Sequence, residues 1–94
     1  MRGWTILGSN VWAGGHELDL IARRGRSLRF VEVKEKTGVS WGDPLEMVTA
    51  EKQRRVRRAA AAWLATRPEL RGVTVGFDVV SVWEGKLRRL ENAF

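Results

Sequence analysis

The residues able to do chemistry come in two short runs, His16-Glu17-Leu18-Asp19-Leu20-Ile21-Ala22 and Phe30-Val31-Glu32-Val33-Lys34. Both read as strands. In an extended chain residues two apart share a face, so Glu17 and Asp19 project together, and so do Glu32 and Lys34. A register across the turn Arg23–Ser27 places Asp19 near Glu32 and Lys34. Carboxylates inside a sheet are costly unless something neutralises them, and two explanations are open. One is an ion-pair cluster of Asp19 or Glu32 with Lys34, joined by Arg29 or Arg23. The other is a hard divalent cation. Mg²⁺ takes oxygen ligands, keeps several waters and needs one or two carboxylates from the protein. Asp19 and Glu32 would supply them, the main-chain carbonyl of Val33 a third oxygen, and Lys34 would orient an attacking water or offset charge on a phosphate.

These residues need elements to position them. Trp4–Leu7 reads as a short strand ended by Gly8-Ser9-Asn10, with Val11-Trp12 resuming it before Ala13-Gly14-Gly15 breaks it again. His16–Ala22 is the second strand, Arg23–Ser27 a hairpin turn around Gly25, and Leu28–Lys34 a third strand rich in β-formers. Thr37–Val48 reads as a loop. Thr49 to about Thr66 is the one clear helix. Thr49 suits its N-cap, Glu51 its first turn, and Pro68 stops it; Val56, Ala60, Trp63 and Leu64 make its apolar face. Val73–Trp83 is a strand of buried character, and Lys86–Leu90 its hairpin partner across Glu84-Gly85. The span from the third strand through the helix to Val73 is long enough for a crossover, which makes those two strands parallel. The expected fold is α/β, one domain over residues 1–94, with a small mixed sheet and one main helix.

Composition narrows the class. The chain has 94 residues and a formal charge of +6. It has no cysteine, which excludes disulfides and thiolate metal sites. With no run long enough to cross a bilayer and no signal-peptide pattern, the expected location is the cytoplasm and no membrane partner is expected. Lys52–Arg58 reads KQRRVRR, five cations in seven residues, and Arg23, Arg24 and Arg26 form a second group. Such concentrations attract phosphate backbones. Lys52, Arg54, Arg55, Arg57, Arg58, Arg23 and Arg24 are therefore candidate nucleic-acid contacts, set against an ordinary solvated helix face. Gln53 is a candidate accessory group at the first helical turn. Glu17 is a further candidate metal ligand, or a group holding a water, against a solvated carboxylate at a strand start. His16, the single histidine, is expected on the face away from Glu17 in a structural role. Trp12 and Trp41 fall in loop-like segments where they can stack on bases; Trp4, Trp63 and Trp83 read as core. Asp78, alone in an apolar strand, reads as structural.

The run Gly14-Gly15-His16-Glu17-Leu18-Asp19-Leu20-Ile21-Ala22, followed by Phe30-Val31-Glu32-Val33-Lys34, resembles the YraN-like family of uncharacterised bacterial proteins. So do Gly42-Asp43-Pro44-Leu45-Glu46, Val48-Thr49, Lys52-Gln53, Phe77-Asp78-Val79-Val80 and Glu91-Asn92-Ala93-Phe94. That family looks like a branch of the PD-(D/E)XK nuclease fold, similar to archaeal Holliday-junction resolvases. The resemblance implies a restriction-endonuclease-like core, with Asp19 as central carboxylate, Glu32 as the second, Lys34 as the motif lysine and Glu17 in the family's Gly-Glu-x-Asp position. Members of the family usually begin with a further helix ahead of the segment matching Gly3–Leu7, which covers one sheet face. Its absence here leads to the expectation that two chains pair over that face.

The expected function is phosphodiester hydrolysis on DNA with Mg²⁺ or Mn²⁺, directed at branched or otherwise structured DNA because backbone contacts position without reading sequence. The alternative is a nucleic-acid-binding module that keeps the fold without cleavage.

Overall fold

The computed structural model describes residues 3–35 and 48–94. The elements are β1 (Thr5–Ala13), β2 (His16–Arg24), β3 (Ser27–Glu35), α1 (Ala50–Ala65), a 3₁₀ turn at Pro68–Leu70, β4 (Thr74–Trp83) and β5 (Lys86–Leu90). The five strands form one mixed sheet in the order β1-β2-β3-β4-β5. Every neighbouring pair is antiparallel except β3 and β4, which are parallel, as the crossover requires. The loop expected at 37–48, and Trp41 within it, lie almost wholly outside the described residues.

Two turns differ from the sequence reading. β1 is a single strand through Gly8-Ser9-Asn10. A register shift between Ile6 and Gly8, together with a positive φ of 51° at Asn10, absorbs the irregularity that reads as a turn. The β2–β3 connection is two residues, Gly25-Arg26, rather than five. Arg23 and Arg24 pair with Leu28 and Ser27 as strand residues. Gly25, at φ 58°, takes the left-handed conformation that a two-residue hairpin demands of its first central position.

Thr49 caps α1, its Oγ1 accepting from the Lys52 N–H at 3.2 Å. The helix buries Val56, Ala59, Ala60 and Trp63 on one sheet face, against Leu18, Ile21, Leu28 and Phe30. Trp63 meets Phe30 edge-on, and Phe30, Phe77 and Phe94 stack in a row, with ring centroids 5.9, 5.6 and 5.1 Å apart. Small residues allow close approach at one point: a Cβ on Gly14 would lie 3.0 Å from the Ala59 Cα. This seats the β1–β2 turn against the helix. Trp63 is core, as read from the sequence. Trp4 is half-buried, with Arg24 and Arg89 guanidinium carbons 4.9 and 5.7 Å from its ring centre, and Trp83 is half-buried too.

The opposite face is organised by one acid. Asp78 is fully buried, and its carboxylate accepts from Arg89 Nε and Nη2 (3.2 and 2.8 Å), from the Asn92 N–H (3.0 Å) and from Arg29 Nη1 (3.5 Å). Arg29 also donates to the Asn92 side chain. Asp78 is thus structural, its arginines coming from β3 and β5. Elsewhere this face stays open, with Ile6, Val33 and Leu87 at 52, 44 and 73% exposure. No described helix is long and apolar enough to cross a membrane.

Removing Asp78 leaves two arginines facing a buried gap. Asp78→Ala is expected to destabilise the fold by about 3 kcal/mol or more in urea unfolding, because breaking a buried pair strands its partners.

Candidate metal centre

β2 and β3 are paired from Arg24↔Ser27 to Leu20↔Val31 and no further. Yet β2 extends back to His16 and β3 onward to Glu35. Beyond the last pair the ladder gives way to a side chain. The Val33 N–H, which needs a partner once it has no strand opposite, donates to Asp19 Oδ2 at 2.9 Å. The N–H and C=O of one strand residue point to the same side, so the Val33 carbonyl faces this gap as well.

Glu32 precedes Val33 and therefore turns onto the α1 face, with Phe30 and Lys34. It is 1% exposed. Its carboxyl lies within reach of the Asp19 side chain, close enough to share a proton with it, while its Oε2 is buried with no hydrogen-bond partner among the described residues. A bond between two carboxyl groups requires a proton on one of them, and burial assigns it to Glu32. Burial foremost, then the bond and the charge of Asp19, push Glu32 from 4.5 up to about 8; Lys52 and Lys34 oppose the rise. Such a displaced acid in a polar cluster marks a candidate functional site.

The structure thus brings Asp19, Glu32, Lys34 and the Val33 main chain together, with Lys52 at the start of α1 within electrostatic reach. The site lies at the carboxyl ends of the parallel strands β3 and β4, where open α/β sheets bind ligands, beside the positive end of the helix dipole. The ion-pair alternative does not describe it. Among the described residues neither Asp19 nor Glu32 is in a salt bridge; Arg29 is bound to Asp78, and Arg23 lies at the far end of β2.

Other candidates are placed differently. Glu17 is exposed, opposite Trp12 of β1, and among the described residues no three His, Cys, Asp or Glu side chains gather to hold a metal. Gln53 turns its amide to the Val48 carbonyl at 3.2 Å, closing the helix start. His16 neighbours Glu17 in β2 and so points to the other face, where it is half-buried. Burial first, then the charges of Lys52, Arg55 and Lys34, lower its pKa, while Asp19 acts in the other direction. It therefore belongs to the same electrostatic neighbourhood as Asp19.

The cations divide into groups. Arg54, Arg55 and Arg58 are exposed on α1, with Arg55 paired to Glu51 at 2.5 Å. Arg57 lies over the rings of Phe77 and Phe94, 5.9 and 5.6 Å from their centres. Arg23 and Arg24 are at the opposite pole, four and five residues along β2 from Asp19, or roughly 13 and 17 Å at strand rise. Arg24, which stacks on Trp4, lies on the sheet face away from α1.

The donor set suits a hard cation. Asp19, Glu32 and the Val33 carbonyl are all oxygen donors, and the partnerless Glu32 oxygen is one that an ion would satisfy. The molecule is thus a small α/β domain in which a buried carboxyl, Glu32, meets a half-buried one, Asp19, toward the carboxyl end of a parallel strand pair. A model of the uncharacterised protein family UPF0102 matches residues 1–82. A UPF0102 protein of Geobacter metallireducens is 39% identical, over 97% of this chain and 77% of its own. One of Methylorubrum extorquens is 41% identical, over 100% and 73%. One of Symbiobacterium thermophilum is 43% identical, over 98% and 81%. The chain belongs to the UPF0102 family, the YraN-like family that its motifs resemble.

The Glu32 proton makes stability depend on pH. Between 4.5 and about 8 the folded chain holds a proton that the unfolded chain has released. This contribution to stability is therefore fully present below 4.5, falls as pH rises through the window, and levels off above 8. The expected loss is on the order of a few kcal/mol, read as a falling thermal midpoint in metal-free buffer. Glu32→Gln, which cannot ionise, should flatten the profile; an equal slope in the variant would assign it to other groups.

Proposed function

We propose that this protein is a metal-dependent phosphodiesterase acting on DNA, with Asp19, Glu32 and the Val33 carbonyl holding Mg²⁺ or Mn²⁺. The observation that carries this reading is the fully buried Glu32 carboxyl with a partnerless oxygen, set against Asp19 in the gap where the β2–β3 ladder stops. A bound ion would supply Lewis acidity and lower the pKa of a coordinated water. The side chains do the rest. Asp19, fixed by the Val33 N–H, presents its other oxygen to the site. Glu32 would hold the ion as a carboxylate, its proton released to solvent. Lys34, on the same strand face as Glu32, orients the attacking water and offsets charge on the phosphate. Water oxygen then bonds to phosphorus, its proton passing to solvent, as the bond from phosphorus to the leaving sugar oxygen breaks and that oxygen takes a proton from solvent. Lys52, Arg54, Arg55 and Arg58 hold the backbone, and His16 stands beside them.

The motif resemblance to PD-(D/E)XK nucleases supports the same chemistry, and the mixed sheet with its parallel β3–β4 pair is compatible with that core. Contacts of this kind grip phosphate and sugar without reading bases, which favours branched or structured DNA over a defined sequence. A second reading, a binding module without cleavage, draws on the fact that among the described residues no three His, Cys, Asp or Glu side chains gather to hold a metal. Pairing of two chains over the open face at Ile6, Val33 and Leu87 is a further part of the proposal, read by light scattering.

Branched and linear DNA incubated with Mn²⁺ or with EDTA decides between the readings. The nuclease reading expects cutting that EDTA stops and that Lys34→Ala and Asp19→Asn each reduce about 100-fold or more, with folding intact by circular dichroism. Salt-sensitive binding without cutting would establish the module instead.

A further inference from the structure

The Arg23–Arg26 turn is separated from the carboxyl pair by the length of the β2–β3 ladder, so it cannot serve the same phosphate. It is not isolated, however. Arg26 donates to the Gly72 carbonyl at 3.2 Å, and the Arg26 carbonyl accepts from the Thr74 N–H at 2.7 Å. These bonds lock the hairpin to the segment that follows α1. That segment brings two more exposed arginines, Arg67 and Arg71. Arg67 lies over Trp63, 5.1 Å from the ring centre, and lines two adjoining shallow hollows, one shared with Arg23 and the other with Arg71. Arg23 pairs with Leu28, so it faces the α1 side of the sheet. Against these arginines the two hollows set one acid, Glu69.

We infer that Arg23, Arg67 and Arg71 form a second phosphate-binding pole, which engages the same nucleic acid at the other end of the β2–β3 ladder and of α1 from the cleavage site. The inference deepens the phosphodiesterase reading and rests on its choice of nucleic acid as substrate. α1 joins the two poles. Its 16 residues span about 24 Å, with Lys52 at the catalytic end, Arg54 and Arg58 exposed between, and Arg67 just past the other end. Phosphates along one strand of a duplex recur every ~3.4 Å. A contact across both poles therefore takes about six or seven base pairs, and shorter duplexes reach one pole only. Arg24 stands at the same height on the opposite face, so it takes no part. The partner is thus a duplex segment or arm lying along α1, rather than a mononucleotide or short oligonucleotide.

The test is binding in Ca²⁺ by fluorescence anisotropy, using duplexes of 4 and 16 base pairs (the shorter closed as a hairpin), with wild type, Arg67→Glu/Arg71→Glu and Arg24→Glu. The expected result is that the double variant binds the 16-mer about tenfold or more weakly, with a log–log salt slope shallower by about 2. Its affinity for the 4-mer should change less than twofold, and Arg24→Glu should alter neither. Thermal unfolding of both variants confirms that they are folded. An equal loss on both duplexes, or none on either, overturns the second pole. Cleavage of the 16-mer by wild type in Mn²⁺ is scored separately. Binding with the expected pattern but no cleavage leaves the pole standing and removes the phosphodiesterase reading. A wild type that binds neither duplex removes both.

Discussion

The structure turns on one constraint: a carboxyl group fully buried in the sheet, against a second carboxyl, at the point where two strands stop pairing. Glu32 cannot stay ionised there without a counter-charge. Its proton, its bond to Asp19 and the reach of Lys34 and Lys52 are the metal-free answer to that problem. A chain selected for stability alone could place a valine in the same position of β3, which already has Phe30, Val31 and Val33 around it. Retaining the acid costs stability across the neutral pH range. That cost is understandable if the acid does something in return, and an oxygen with no partner indicates what it is prepared to do.

The rest of the fold serves this arrangement. The parallel β3–β4 pair and the α1 crossover bring the helix N-terminus, with Lys52, to the end of β3 where Glu32 and Lys34 lie. The Phe30-Phe77-Phe94 stack and Trp63 pack β3 and β4 against the helix. On the other face the Asp78 network fixes β3 to β4 and β5 with charge-assisted bonds. The two buried acids, Asp78 and Glu32, differ in how they are compensated. Asp78 is saturated by arginines and a main-chain N–H, so it has nothing left to offer a ligand. Glu32 keeps an oxygen unpaired. Burial alone does not distinguish the two acids; the hydrogen-bond acceptor left without a partner does.

Much of this was legible in the sequence because it depends on local pattern. Period-two alternation put Glu32 and Lys34 on one face, the Thr49 cap and Pro68 bracketed the helix, and the crossover length fixed the parallel pair. The failures share a cause. Whether Gly8-Ser9-Asn10 turns the chain or merely bulges depends on β2 holding β1 through the irregularity, which is a pairing energy and not a local preference. Arg23 and Arg24 look like turn residues until a two-residue hairpin claims them as strand. Glu17 reads as sharing a face with Asp19, but alternation presumes a regular strand, and β2 buries both Leu18 and Ile21 in the same core as it leaves β3. The arginines at 67 and 71 carried no signal, because nothing short of the tertiary bond between Arg26 and Gly72 joins them to the hairpin.

The most direct measurement is the ¹³C carboxyl resonance of Glu32 followed through a pH titration, without metal and with saturating Mg²⁺. The account predicts a metal-free midpoint near 8, moved down toward the ordinary carboxylate range by the ion. A midpoint that is already ordinary without metal, or one that Mg²⁺ leaves where it was, would contradict it.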